Sequence, residues 1–158
     1  MIEITTLDGT PGYAKNTDAS HYFYTGEAVQ TGLLAPDGWK VPNTTDWERL
    51  KGYLGDNTDA LKDGKWEKFS NGSCYPGTNK SGFNMHAYGA YIEREGVSEV
   101  SNAGVFGVYW MTGQQQNMLP DEEHAYQFLS TEKTFRTAAG VVKDKNYYQA
   151  FSVRCIKE

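Results

Sequence analysis

Helical and strand-like patterning occupy different parts of this chain, and that segregation restricts its fold more than any other feature. The helical part centres on Thr45-Asp46-Trp47-Glu48. Thr45 has the position of an N-cap, and Glu48 three residues later completes a capping box. Trp47, Leu50 and Leu54 follow at i, i+3 and i+7, and Gly55 is placed to end the helix in a left-handed conformation. The spacing predicts a helix over Thr45–Leu54 with Trp47 on its buried face. Trp39, shortly before it, is expected to be buried as well. A shorter helix is predicted within Gly26–Leu34, from Ala28, Val29 and Leu33, and Pro36 stops it.

After Gly55 the period changes. Asn57–Gly82 is rich in Asn, Asp, Gly, Ser and Lys and predicts a long structured loop, with one helical turn near Asp59–Leu61. Strand patterns then recur at Ala87–Ile92, Val105–Trp110, Ala125–Leu129, Phe135–Val142 and Phe151–Ile156. In the last of these Phe151, Val153 and Cys155 alternate with Ser152 and Arg154. Gly104–Trp110 is apolar on both faces, which suits a central strand. Helices first and strands later indicate an α+β fold rather than alternating βαβ units. Residues 1–20 are expected to form an arm, with a short strand at Ile2–Leu7, and residues 21–158 a single domain.

Several functional classes are disfavoured at this level. A formal charge of −5 argues against nucleic acid as a partner. No apolar run approaches the length of a membrane-spanning helix, so no membrane insertion is expected. The first 20 residues contain no apolar core of a secretory signal. The three histidines are scattered, and only His124 adjoins carboxylates, in Asp121-Glu122-Glu123-His124. Adjacent loop residues rarely converge on one ion, so a solvated acidic loop is expected there, with no metal and no cofactor. Nothing near Cys74 activates a thiolate. The nucleophile-elbow, phosphate-loop and zinc-protease motifs are absent, so the chain does not read as an enzyme and no catalytic residue is assigned. Sequons at Asn43, Asn71 and Asn79 are taken as chance matches.

The aromatic content of 14% is more informative. Tyr109, Trp110, Tyr126, Phe128, Phe135, Tyr147 and Tyr148 fall in the last third, interleaved with Gln114, Gln115, Gln116, Asn117 and Asn146. Some of these rings must fill the core. The rest, with the amides, would form a recognition surface of rigid aromatic area and adaptable hydrogen bonding.

Longer motifs support a resemblance. Gly38-Trp39-Lys40-Val41-Pro42, then Asp46-Trp47-Glu48-Arg49-Leu50 and Tyr53-Leu54-Gly55, resemble the opening signature of the Fibrobacter succinogenes major paralogous domain. Thr78-Asn79-Lys80-Ser81-Gly82-Phe83, Tyr109-Trp110-Met111-Thr112 and Phe151-Ser152-Val153-Arg154-Cys155-Ile156-Lys157 resemble its later segments, in the same order. The resemblance implies a C-type-lectin-like fold: two helices, a long loop region and a twisted antiparallel sheet. The family usually has Cys-Pro where this chain has Ala35-Pro36, so the usual partner of Cys155 is missing and a bridge to Cys74 stays open. Calcium-dependent sugar binding is not implied, because Val41-Pro42-Asn43 lacks the acidic residue of the sugar-binding motif and no Trp-Asn-Asp occurs.

The resemblance also suggests where a ligand would bind. Similar domains serve as diversified binding proteins of gut bacteria and their phages, with receptor-facing positions in the last strands and loops. Gln114, Gln116, His124, Tyr126, Phe128, Phe135, Tyr147 and Tyr148 are the corresponding candidates here. Strand alternation puts Tyr126 and Phe128 on one face, so both point outward or both join the core. In the second case the face shrinks to Gln114, Gln116, Tyr147 and Tyr148. The expected function is non-catalytic recognition of a protein or glycan on a phage virion or bacterial cell surface. The alternative is a structural virion or fimbrial component without a dedicated ligand, held to its neighbours or to other copies by the N-terminal arm.

Overall fold

The computed structural model describes residues 13–15, 21–113, 124–139 and 147–158. Its first strand, β1 (Tyr13–Lys15), pairs antiparallel with β2 (Tyr22–Tyr24), so part of the expected arm is a strand. The strand expected at Ile2–Leu7 lies outside the described residues. Helix α1 (Gly26–Gln30) follows, capped by the Thr25 hydroxyl, and buries Ala28 and Val29 as its spacing requires. After the two-residue strand β3 (Trp39–Lys40) comes the principal helix, α2 (Thr44–Leu54).

The capping box of α2 is not the one the sequence pattern suggests. Asn43 is the N-cap: its side chain accepts from the Asp46 N–H at 3.0 Å, and the Asp46 carboxylate accepts from the Asn43 N–H at 3.0 Å. Thr45 lies two residues later, inside the helix. The ending is as expected, with Gly55 left-handed at φ 64°. Trp47 is 2% exposed, but Trp39 is 46% exposed, against expectation. After β3 it is Val41 that is buried, and Trp39 lies opposite Lys157 at the end of β10 (Ile156–Lys157).

The long loop contains a single 3-10 turn at Thr58–Ala60. It is tied down by Lys62, whose side chain is fully buried. Its ammonium donates to the carbonyls of Leu129 at 2.8 Å, Glu132 at 2.5 Å and Tyr75 at 3.4 Å. Lys62 therefore binds the loop to the far sheet.

That sheet region holds β4 (Ala90–Arg94), β5 (Val97–Ser101), β6 (Phe106–Met111), β7 (His124–Leu129), β8 (Arg136–Ala139) and β9 (Tyr147–Ala150). They form two antiparallel ladders, in the orders β5-β4-β9 and β6-β7-β8. Gly89, at φ 79°, leads into β4; a Cβ there would lie 2.3 Å from the Ser101 carbonyl oxygen, so the approach requires glycine. Strand β5, absent from the sequence-based expectation, is joined to β4 by the two-residue turn Glu95-Gly96. Both turn residues have positive φ, 51° and 79°, which suits the twist of a hairpin. The strand expected at Phe151–Ile156 is divided: Phe151 bridges to Tyr24, Ser152 bridges to Tyr109, and Ile156 enters β10, which pairs with β3. β9, absent from the sequence-based expectation, pairs with β4.

Strand β6 is central, as its apolar run predicts. β7 pairs with one edge, and Gly89 and Ser152 bridge to the other. Its side chains divide two cores: Tyr109 and Met111 join Trp47, Trp66, Tyr126 and Phe128, while Val108 and Trp110 join Val29, Val41, Ala125 and Phe151. The result is an α+β fold with two principal helices and several small antiparallel sheets.

Candidate functional site

Three of the eight candidate residues belong to the core. Tyr126 and Phe128 are each 1% exposed, and Phe135 is also buried. Alternation puts the first two on one face of β7, as predicted, and α2 covers that face. Trp47 packs against Tyr126 at 5.3 Å and Phe128 at 6.0 Å between ring centroids, and Phe135 meets Phe128 edge-on at 5.4 Å. The Tyr126 hydroxyl is turned to the rim, where it donates to the Glu48 carboxylate. These rings are therefore not available to a ligand, which corrects the expectation for all three.

Gln114 and Gln116 lie outside the described residues. The His124 backbone is in β7 opposite Met111 and Ala139, and that of Tyr148 is in β9 opposite Glu93. Tyr147 is the candidate that the structure places on an open surface. It pairs with Arg94 across β4 and β9, while Gln149 pairs with Ile92; across β4 and β5, Arg94 pairs with Val97 and Ile92 with Glu99. Because strand side chains alternate, Ile92, Arg94, Val97, Glu99, Tyr147 and Gln149 share one face of the ladder. Tyr91, Val100 and Ala150, on the other face, pack with Phe23.

The shared face is shaped as well as exposed. The Arg94 guanidinium lies 5.4 Å from the centre of the Tyr147 ring, and the Gln149 amide donates to the Tyr147 hydroxyl at 2.6 Å. A hollow of about 430 Å³ is lined by Ile92, Arg94, Glu95, Val97, Glu99 and Tyr147. Val97 is 72% exposed, a large apolar side chain left in water. Arg94, Glu95 and Glu99 make no ion pair among the described residues. The site thus offers an aliphatic floor, an aromatic ring, one cation and two carboxylates, enough to orient a polar partner without a metal. Sequence reasoning found only Tyr147 here; the Glu-Gly turn between two alternating segments was the signal for the rest.

Other polar clusters are self-contained. Asp63 and His86 form a pair at 2.7 Å, with the carboxylate buried and the imidazole partly exposed. His21 stacks on Tyr88 at 3.7 Å and meets the Ser152 hydroxyl at 3.0 Å. Tyr109 donates to the His86 carbonyl at 2.9 Å, and burial pushes its phenol far above the ordinary range. Cys74 and Cys155 are both free thiols; burial also pushes the Cys155 thiol up. Among the described residues no three His, Cys, Asp or Glu side chains are grouped to hold a metal ion, and no helix is long and apolar enough to cross a membrane.

A family model described as the Fibrobacter succinogenes major domain matches residues 6–157. No curated protein and no solved structure matches the chain.

Proposed function

The chain belongs to the Fibrobacter succinogenes major domain family, and from that membership and the open β5-β4-β9 face we propose that it is a non-catalytic recognition domain. In this reading the fold is C-type-lectin-like and calcium-independent, and it displays the face on a phage virion or bacterial cell surface. The ligand is a protein or glycan. The single observation that carries the reading is the exposed hollow around Tyr147, Arg94 and Val97. An aromatic ring held by a guanidinium on one side and an amide on the other is rigid, so contact costs little side-chain entropy. Arg94, Glu95 and Glu99, in no ion pair among the described residues, give directional bonds to a polar partner.

Tagged wild-type protein and an Arg94→Ala/Tyr147→Ala variant, probed on arrays of glycans and of cell-surface proteins, test it. Binding by the wild type that the variant loses, with an unchanged melting temperature, supports the reading. Equal binding by the two would remove the face from it. The structural alternative, a decoration component with no ligand, predicts no specific binding by either.

A further inference from the structure

A second surface, away from the β5-β4-β9 face, has a different chemistry. Along α2, Asp46, Arg49, Leu50 and Tyr53 fall at i, i+3, i+4 and i+7 and form one stripe. Two hollows of about 200 and 350 Å³ lie against it and share Asp46, Leu50 and Ile156, so they form one groove. The smaller alone falls below the roughly 300–1,000 Å³ of ordinary ligand pockets, while the larger lies within that range. Pro42, Trp47, Leu50, Phe83 and Ile156 make the walls of the smaller hollow apolar. Tyr53, at the open end, is 86% exposed.

The groove carries an uneven charge. Asp46 is already engaged by Lys40 at 2.8 Å and by its capping bond to Asn43. Arg154 lines the smaller hollow, its guanidinium 4.9 Å from the centre of the Phe83 ring, and Arg49 lines the larger. Neither arginine has a carboxylate partner among the described residues. The groove therefore presents two cations and a neutralised anion around an apolar wall.

Trp47, in the wall of the smaller hollow, supplies a reporter. Its indole N–H is buried and has no acceptor among the described residues. The buried indoles of Trp66 and Trp110 do have one, in the carbonyls of Met85 at 2.9 Å and Tyr24 at 2.7 Å. A buried donor without an acceptor is costly and uncommon; this one is closed to solvent, so it reports on the groove wall rather than binding in it.

We propose that this groove binds a small apolar carboxylate. Its hydrocarbon body lies against Trp47, Leu50, Phe83 and Ile156, and its anionic head meets Arg154. A neutral hydrocarbon would leave the cation unsatisfied, and a hydrophilic anion would leave the apolar wall in water. Only a molecule with both parts answers both features.

The probe is 3-phenylpropionate, titrated into the full chain labelled with ¹⁵N, and the readout is the assigned Trp47 indole N–H resonance. A saturable shift at millimolar concentration is expected. It should weaken about tenfold or more for uncharged 3-phenylpropanamide, and equally for Arg154→Gln, as the loss of a charge-assisted contact requires. Arg154 is exposed, so that variant should keep its fold, which its near-ultraviolet spectrum checks. Leu50→Trp, which fills the groove, should abolish the shift. A resonance that does not move in the wild type overturns the proposal. So does an equal response to acid and amide, which would mean unspecific apolar contact.

Discussion

Strands β7 and β9 both carry aromatic side chains in an antiparallel ladder, yet Tyr126 and Phe128 on β7 are sealed while Tyr147 on β9 is at the surface. The residue types do not decide this. The face of β7 is covered by α2 and the loop behind it, through Trp47 and Phe83. The corresponding face of β9 has, among the described residues, its own ladder neighbours Arg94 and Gln149. Alternation fixes which side chains share a face, and a distant element decides whether that face is core or surface.

Mutations can break this comparison, beginning with the largest effect. Phe128→Ala should destabilise the chain by about 3–5 kcal/mol, because it opens a cavity between Trp47, Tyr109 and Phe135. Chemical denaturation measures it, and a loss of less than about 1 kcal/mol would mean that β7 is not covered as described.

Lys62→Met should cost less, about 1–3 kcal/mol, by depriving buried carbonyls of Leu129, Glu132 and Tyr75 of a donor. It also has a pH signature. Burial pushes the Lys62 ammonium down to about 8. Between that value and the ordinary 10.5 the unfolded chain binds the proton more readily, so this group makes folding more favourable as pH rises through that window. The wild type minus Lys62→Met stability difference should therefore increase from pH 7.5 to pH 9.5. A flat difference would show that the three carbonyls hold the proton against burial.

A finer test is Tyr126→Phe, which keeps the ring and removes only the hydroxyl bonded to Glu48. It should cost about 1 kcal/mol, and combining it with Glu48→Gln should not double the loss, since both changes break one contact. Tyr147→Ala should be the mildest, within about 0.5 kcal/mol of the wild type by thermal melting, because among the described residues that ring belongs to no core cluster. A large loss there would turn the open face into a third core.

Much of this fold was legible, and the reasons for the exceptions are physical. The helix through Trp47, the left-handed Gly55, the order of helices before strands and the burial of β6 on both faces all follow from local spacing. The motifs quoted from Gly38 to Lys157 identified the family that matches residues 6–157. The N-cap was misplaced by two residues because Asn43-Thr44-Thr45-Asp46 offers overlapping capping signals, and the chain uses the earlier one. Trp39 is apolar but stands at the end of a two-residue ladder, where it stays about half exposed. The site was harder to read, since Ile92, Arg94, Val97 and Glu99 come from a hairpin about fifty residues before Tyr147 and meet it only through strand register. The groove beside α2 likewise joins helix and C-terminal strand, and no local pattern foretells that contact.

The contrast between covered and open faces is tested most directly by hydroxyl-radical footprinting of the native chain, read residue by residue by mass spectrometry. Val97 and Tyr147 should be modified in the folded protein, while Tyr126, Phe128 and Trp47 stay protected until it unfolds. Modification of Tyr126 and Phe128 at the rate of Tyr147 would contradict the account and return the recognition face to β7.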